Sequence, residues 1–93
     1  MRSRYRFTVR EIMGEYAVIP MGESALALSG MILTNAVGAC LWTALQNETT
    51  EQELVQTLLQ EFEVDEQTAQ TDVNDFLQQL RSLNFLIEES PTP

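Results

Sequence analysis

The sequence contains no histidine and no lysine, a single cysteine, and five arginines set against 14 acidic residues. Without histidine, the side chain that most often exchanges protons near neutral pH is missing. With Cys40 the only cysteine, a disulfide within one chain and a Cys/His metal cluster are both excluded, so no metal or other cofactor is expected. That cysteine usage fits a reducing compartment. No apolar run approaches the roughly 18 residues of a membrane-spanning helix, and the arginine-rich start lacks the apolar core of a secretion signal. The expected location is the cytoplasm.

The charge is uneven. The formal net charge is -9, yet residues 1 to 10 carry Arg2, Arg4, Arg6 and Arg10 without an acid, which leaves the rest of the chain at -13 with Arg81 its one cation. Such a surface repels nucleic acid phosphates and anionic membranes, which gain affinity by releasing counterions to Lys and Arg. Neither is expected as a partner.

What is present suits one folded domain over residues 1–93, with 44% hydrophobic residues spread along the chain. Residues 1–6 and 90–93 have no pattern that would hold them and are expected to be flexible. Phe7 to Ile12 alternates in character, and Tyr16 to Pro20 is β-branched and aromatic. With Met13-Gly14-Glu15 as a turn, the two read as a hairpin. Pro20 cannot donate to a ladder and should end its strand. Ala25 to Leu28 and Met31 to Leu33 are short extended pieces on either side of Ser29-Gly30, readable as one bent strand or as a second hairpin.

Helical spacing then takes over. Thr34 or Asn35 can cap a helix whose Val37, Cys40, Leu41, Ala44 and Leu45 share a face, and Gly38 within it marks a point where another backbone packs closely. Thr50 with Glu53 forms a capping box ahead of the stripe Leu54, Val55, Leu58, Leu59 and Phe62. Asp65 caps a third helix from Glu66 to Leu83, with Ala69, Val73, Phe76, Leu77, Leu80 and Leu83 on its apolar stripe. Asn84 can adopt the left-handed conformation that ends it, with Phe85 folding back and Leu86 and Ile87 completing the core. The fold class is therefore α+β: a three-stranded antiparallel N-terminal sheet followed by a three-helix bundle, in a winged helix-turn-helix-like arrangement.

No catalytic constellation emerges. Glu61 with Asp65, and Asp72 with Asp75, lack the glycine-spaced loop of a calcium site and read as a solvated acidic face. Cys40 has only Ala39 and Leu41 beside it, so nothing there would activate a nucleophile. Gly30 and Gly38 do not form a phosphate-binding loop. A three-stranded sheet leaves an edge to which an extended peptide can add itself, unless that edge is simply short and blunted.

Four stretches carry a resemblance: EYAVIP at Glu15 to Pro20, GMILTNAVGACLW at Gly30 to Trp42, TTEQELVQTLLQEFEVDEQTA at Thr49 to Ala69, and DVNDFLQQLRSLNFL at Asp72 to Leu86. Asn35-x-x-Gly38, Trp42, Val64-Asp65 and Asp72-x-x-x-Phe76 occur in that order. Together these resemble the PqqD family over residues 7 to 87. The resemblance implies a non-enzymatic peptide chaperone, or RiPP recognition element, of winged-helix topology. It would bind the leader segment of a ribosomally made precursor by strand addition and present it to a modifying enzyme of the radical SAM kind.

Carried onto this chain, the implied peptide site is the edge at Met31, Ile32 and Leu33 facing Val73, Phe76 and Leu80, although the helical residues could equally be plain core. Thr34 and Ala36 stand where the family has Leu and an acid, and Asn84 where it has Gly. The alternatives are a winged-helix transcriptional regulator and a protein-interaction domain. Monomer and homodimer both remain open.

Overall fold

The apolar and polar alternation of Phe7–Ile12 and Glu15–Pro20 produces two antiparallel strands in full register, from Phe7 opposite Pro20 to Ile12 opposite Glu15. They are joined by Met13 and Gly14 alone, both at positive φ (52° and 85°), the requirement of a tight two-residue hairpin whose twist matches the strands. Glu15 therefore belongs to the strand and not to the turn. Pro20 ends its strand, where its missing N–H breaks no ladder.

The computed structural model describes residues 1–22 and 30–88. The elements are β1 (Arg2–Ser3), β2 (Phe7–Ile12), β3 (Glu15–Pro20), β4 (Ile32–Thr34), α1 (Ala36–Ala44), α2 (Glu51–Glu61), α3 (Glu66–Ser82) and β5 (Leu86–Ile87). β2, β3 and β4 form an antiparallel sheet in that order, and β1 pairs with β5 in a two-stranded sheet. This is the α+β, winged-helix-like order of strands before helices. The choice between a bent strand and a second hairpin turns on residues 25–29, which lie outside the described residues, as do residues 90–93.

Residues 1–6, which the sequence leaves without a partner, are tied in by backbone. Ser3 N–H donates to Leu45 O at 2.9 Å, Arg4 N–H to Phe85 O at 2.7 Å, and Thr49 N–H to Met1 O at 2.8 Å. A two-residue strand takes its partners from distant parts of the chain, so no local periodicity announces it.

The inner face of the sheet carries Phe7, Val9, Val18 and Ile32 toward the helices. The core is completed by Leu41 and Trp42 from α1 and Leu45 at its C-cap, by Leu54, Val55 and Leu58 from α2, and by Ala69, Val73, Leu77 and Leu80 from α3. Each fully buried Leu or Val contributes about 1.5–3 kcal/mol through removal from water. The caps follow the sequence: Thr50 Oγ1 accepts from Glu53 N–H at 3.1 Å, and Asp65 Oδ1 from Thr68 N–H at 2.7 Å. Asn84 sits at φ 59°. Its N–H donates to Arg81 O at 3.1 Å and Phe85 N–H to Leu80 O at 2.9 Å, the paired bonds of a Schellman ending.

Two stripes differ from the sequence pattern. The buried face of α1 runs through Gly38, Leu41 and Trp42 to Leu45, with Val37, Cys40 and Ala44 only half-buried. That helix is apolar on most sides, so spacing alone does not choose a face. Leu83, on the expected stripe of α3, is 59% exposed because the helix has already reached its cap.

Candidate functional site

β4 is short, and its place is set by β3: Thr34 lies opposite Tyr16, Leu33 opposite Ala17 and Ile32 opposite Val18. Among the described residues its other edge has no strand beside it. The alternation follows from the pairing. Ile32 shares the inner face with Val18 and is half-buried, while Met31 and Leu33 are 57% and 65% exposed. N–H and C=O groups along an edge with no neighbouring strand can pair with a further one.

The chain turns from β4 into α1 at a tight corner. Asn35 is the cap, its Oδ1 accepting from Gly38 N–H at 2.8 Å, and Thr34 stays in the strand. A methyl group on Gly38 would collide with Thr34 Oγ1. The close neighbour of this glycine is therefore a side chain, not the second backbone that the sequence suggests.

Between this corner and α3 lies a groove of about 230 Å³. Thr34, Asn35 and Val37 form one side, and Asp72, Asp75, Phe76 and Gln79 the other. The four α3 positions are spaced i, i+3, i+4 and i+7, which places them on one face of the helix. Phe76 is braced by Trp42, the ring centroids 5.7 Å apart and the planes at 89°. Trp42 is in turn edge-on to Phe7, at 5.1 Å and 79°. A volume below the roughly 300 Å³ at which small-molecule pockets begin suits side chains from a passing strand better than an enclosed cofactor.

The six residues implied by the resemblance divide three ways. Ile32 and Leu33 lie in β4, the edge strand among the described residues, Met31 immediately precedes it, and Phe76 lines the groove. Val73 and Leu80 are 0% and 4% exposed and belong to the core, the plain-core alternative for those two positions. The stripe that packs a helix and the stripe that walls a groove are adjacent faces of the same cylinder, and apolar spacing finds only the first. Thr34, Val37, Asp72, Asp75 and Gln79 line the groove without being among the residues the resemblance implies. The signal available for them was an aromatic, Phe76, sharing helical spacing with polar Asp72, Asp75 and Gln79.

Asp72 and Asp75 change meaning with this geometry. They stand on the groove wall, Asp72 half-buried and Asp75 exposed. Among the described residues the ion pairs are those of the Met1 amine with Glu48 and of Arg81 with Glu88, so neither aspartate is neutralised by one. The groove wall is therefore negative on the α3 side, with Val37, Leu41 and Phe76 its apolar lining.

A second depression, of about 520 Å³, lies between the inner face of the sheet at Val9 and Tyr16 and the helices at Cys40, Thr57 and Phe62. Burial pushes the Cys40 thiol above its ordinary pKa, and the Glu61 carboxylate adds to the effect. The thiolate that nucleophilic chemistry needs is thereby disfavoured. Among the described residues, no three His, Cys, Asp or Glu side chains gather to hold a metal ion, and no helix is long and apolar enough to cross a membrane.

A strand edge with no neighbour among the described residues, beside a groove that holds one aromatic and two carboxylates, is an arrangement by which sheets take up extended peptides: backbone groups supply affinity and the groove reads alternate side chains. The family profile described as coenzyme PQQ synthesis protein D (PqqD) matches residues 9–86, from β2 to the first residue of β5. The chain belongs to the PqqD family. A solved structure, TbiB1 in complex with the TbiA(beta) leader peptide, is similar to this PqqD-family chain with a TM-score of 0.68. The alignment covers 97% of this chain and 99% of the other at 22% identity, a likeness of fold. No curated protein matches the sequence.

Proposed function

We propose that the protein binds the leader segment of a ribosomally synthesised precursor peptide and presents it to a modifying enzyme. The observation that carries this reading is the edge of β4, without a neighbouring strand among the described residues, running into the groove walled by Phe76. A leader laid along Met31 to Leu33 would extend the sheet to four strands, with every second side chain turned toward α3. Membership in the PqqD family and the leader-peptide complex of TbiB1 support it.

In this reading Met31, Ile32 and Leu33 supply the edge and Phe76 the apolar contact. Val73 and Leu80 act from the core by fixing where Phe76 stands. The protein is a single cytoplasmic domain over residues 1–93 and holds its peptide without catalysing a reaction. Its enzyme partner is of the radical SAM class. Asp72 and Asp75 on α3 count against the same helix approaching DNA phosphates.

The test is calorimetric titration of the full chain with synthetic N-terminal segments, about 25 residues long, of the short open reading frames that flank its gene. Saturable binding of one segment is the expected result. Absence of binding by all of them would defeat the proposal.

A further inference from the structure

The groove at β4 and α3 is not neutral, and its charges sit at a spacing that a strand can read. We infer that the bound segment carries a lysine or arginine two positions away from the apolar side chain that enters the groove. This rests on the leader-binding reading above and goes beyond it by assigning the chemistry of the ligand.

The argument starts from two repeats. Along α3, Asp72 precedes Phe76 by four residues, an axial rise of about 6.0 Å. Along a strand, side chains on the same face recur every two residues, about 6.6 Å apart. When an added strand lies alongside α3 with one apolar side chain against Phe76, the next side chain on that face comes level with Asp72. Asp75 flanks the same stretch one residue before Phe76, and both carboxylates line the groove.

The charges there are available to a ligand. Neither aspartate joins an ion pair among the described residues. The four arginines of residues 1 to 10 lie on β1, on β2 and in the link between them, and Arg81 is engaged with Glu88 at 2.8 Å. A cationic side chain on the peptide would meet two carboxylates, the half-buried Asp72 and the exposed Asp75, on one wall of the groove beside Phe76. An acidic side chain at that position would be repelled by both. On the far side of Phe76 the wall residue is Gln79, which is neutral, so the preference is confined to one end of the anchor.

The experiment is selection of a displayed library of random 12-residue peptides against the full chain, followed by calorimetry on one enriched peptide. The inference predicts enrichment of Lys or Arg two positions from an aliphatic or aromatic residue. For the double variant Asp72→Asn, Asp75→Asn it predicts affinity roughly three- to tenfold weaker at low salt, the size of two partly screened pairs. Glu15→Gln with Glu63→Gln removes the same charge away from the groove and should change affinity less than about twofold.

Equal losses in the two double variants would overturn the inference, because attraction would then come from net charge and not from the groove. Enriched peptides that are neutral or acidic beside the anchor would overturn it too, while leaving leader binding intact. If no enriched peptide perturbs the amides of Met31 to Leu33, the strand-addition reading fails and the charge preference falls with it.

Discussion

The ring of Phe76 on α3 stands edge-on to the indole of Trp42 on α1, with centroids 5.7 Å apart and planes at 89°. One face of that phenyl ring completes the core and its remainder lines the groove. Phe76 thus couples fold and site. Phe76→Ala should lower stability by about 2 kcal/mol, from a half-buried aromatic and a lost ring pair, and weaken peptide binding. Phe76→Leu should retain most of the stability while still reducing affinity. Urea unfolding together with calorimetry separates the two effects.

Gly38 and Thr34 set the corner between β4 and α1. Alanine at position 38 would gain about 1 kcal/mol of helix propensity on an open helix. Here it meets Thr34 Oγ1, so Gly38→Ala should destabilise the protein in spite of that gain. Adding Thr34→Ala removes the obstructing hydroxyl and should recover part of the loss. Such non-additivity in a double-mutant cycle identifies the contact as the cause.

Much of the fold was legible because its signals are local. The Thr50 cap, the Asp65 cap and the Asn84 ending are each written within a few residues and each forms in place, although the Glu53 carboxylate accepts from the Thr50 hydroxyl and not from the Thr50 N–H of a full capping box. The β1 and β5 pairing was not, since Arg2 and Ile87 meet across nearly the whole chain. For the site, the edge could be inferred from the short strand before the Asn35 cap. The groove wall could not, because assigning Asp72 and Asp75 to water or to a groove depends on where α3 lies relative to β4.

Acid should act on the third helix through its cap. The Asp65 carboxylate accepts the Thr68 N–H and is held below the ordinary aspartate pKa chiefly by that bond. A folded pKa below the unfolded one stabilises the protein above the unfolded value, near ~4, and the contribution is lost as pH falls through the lower folded value. Asp65→Ala should therefore be less stable than the parent at neutral pH. The gap should narrow when both are acidified below ~4, as measured by urea midpoints across that range.

Cys40 offers a check on the second depression. Its thiol is raised chiefly by burial and then by Glu61, so alkylation by iodoacetamide at neutral pH should be slower than for an exposed cysteine and should accelerate only above the ordinary thiol value of about 8.5. Glu61→Gln should shift the acceleration slightly toward lower pH. Fast labelling at neutral pH would contradict the burial described for this residue.

The core residues of α3 give a different kind of prediction. Val73 is fully buried, so Val73→Asp places a charge in the core and should unfold the domain, seen as loss of the cooperative thermal transition. Val73→Ala should cost about 2 kcal/mol and leave a folded protein with a smaller loss of affinity than Phe76→Ala, because the residue does not line the groove and acts only through the position of Phe76.

The most direct measurement of the central claim is amide exchange at β4, recorded by NMR with and without a leader segment that binds in calorimetry. Strand addition predicts that amides within Ile32 to Thr34 that point away from β3 become protected on binding, while those of the exposed Met13 hairpin turn do not change. Tight binding that leaves the β4 amides exchanging as before would contradict it.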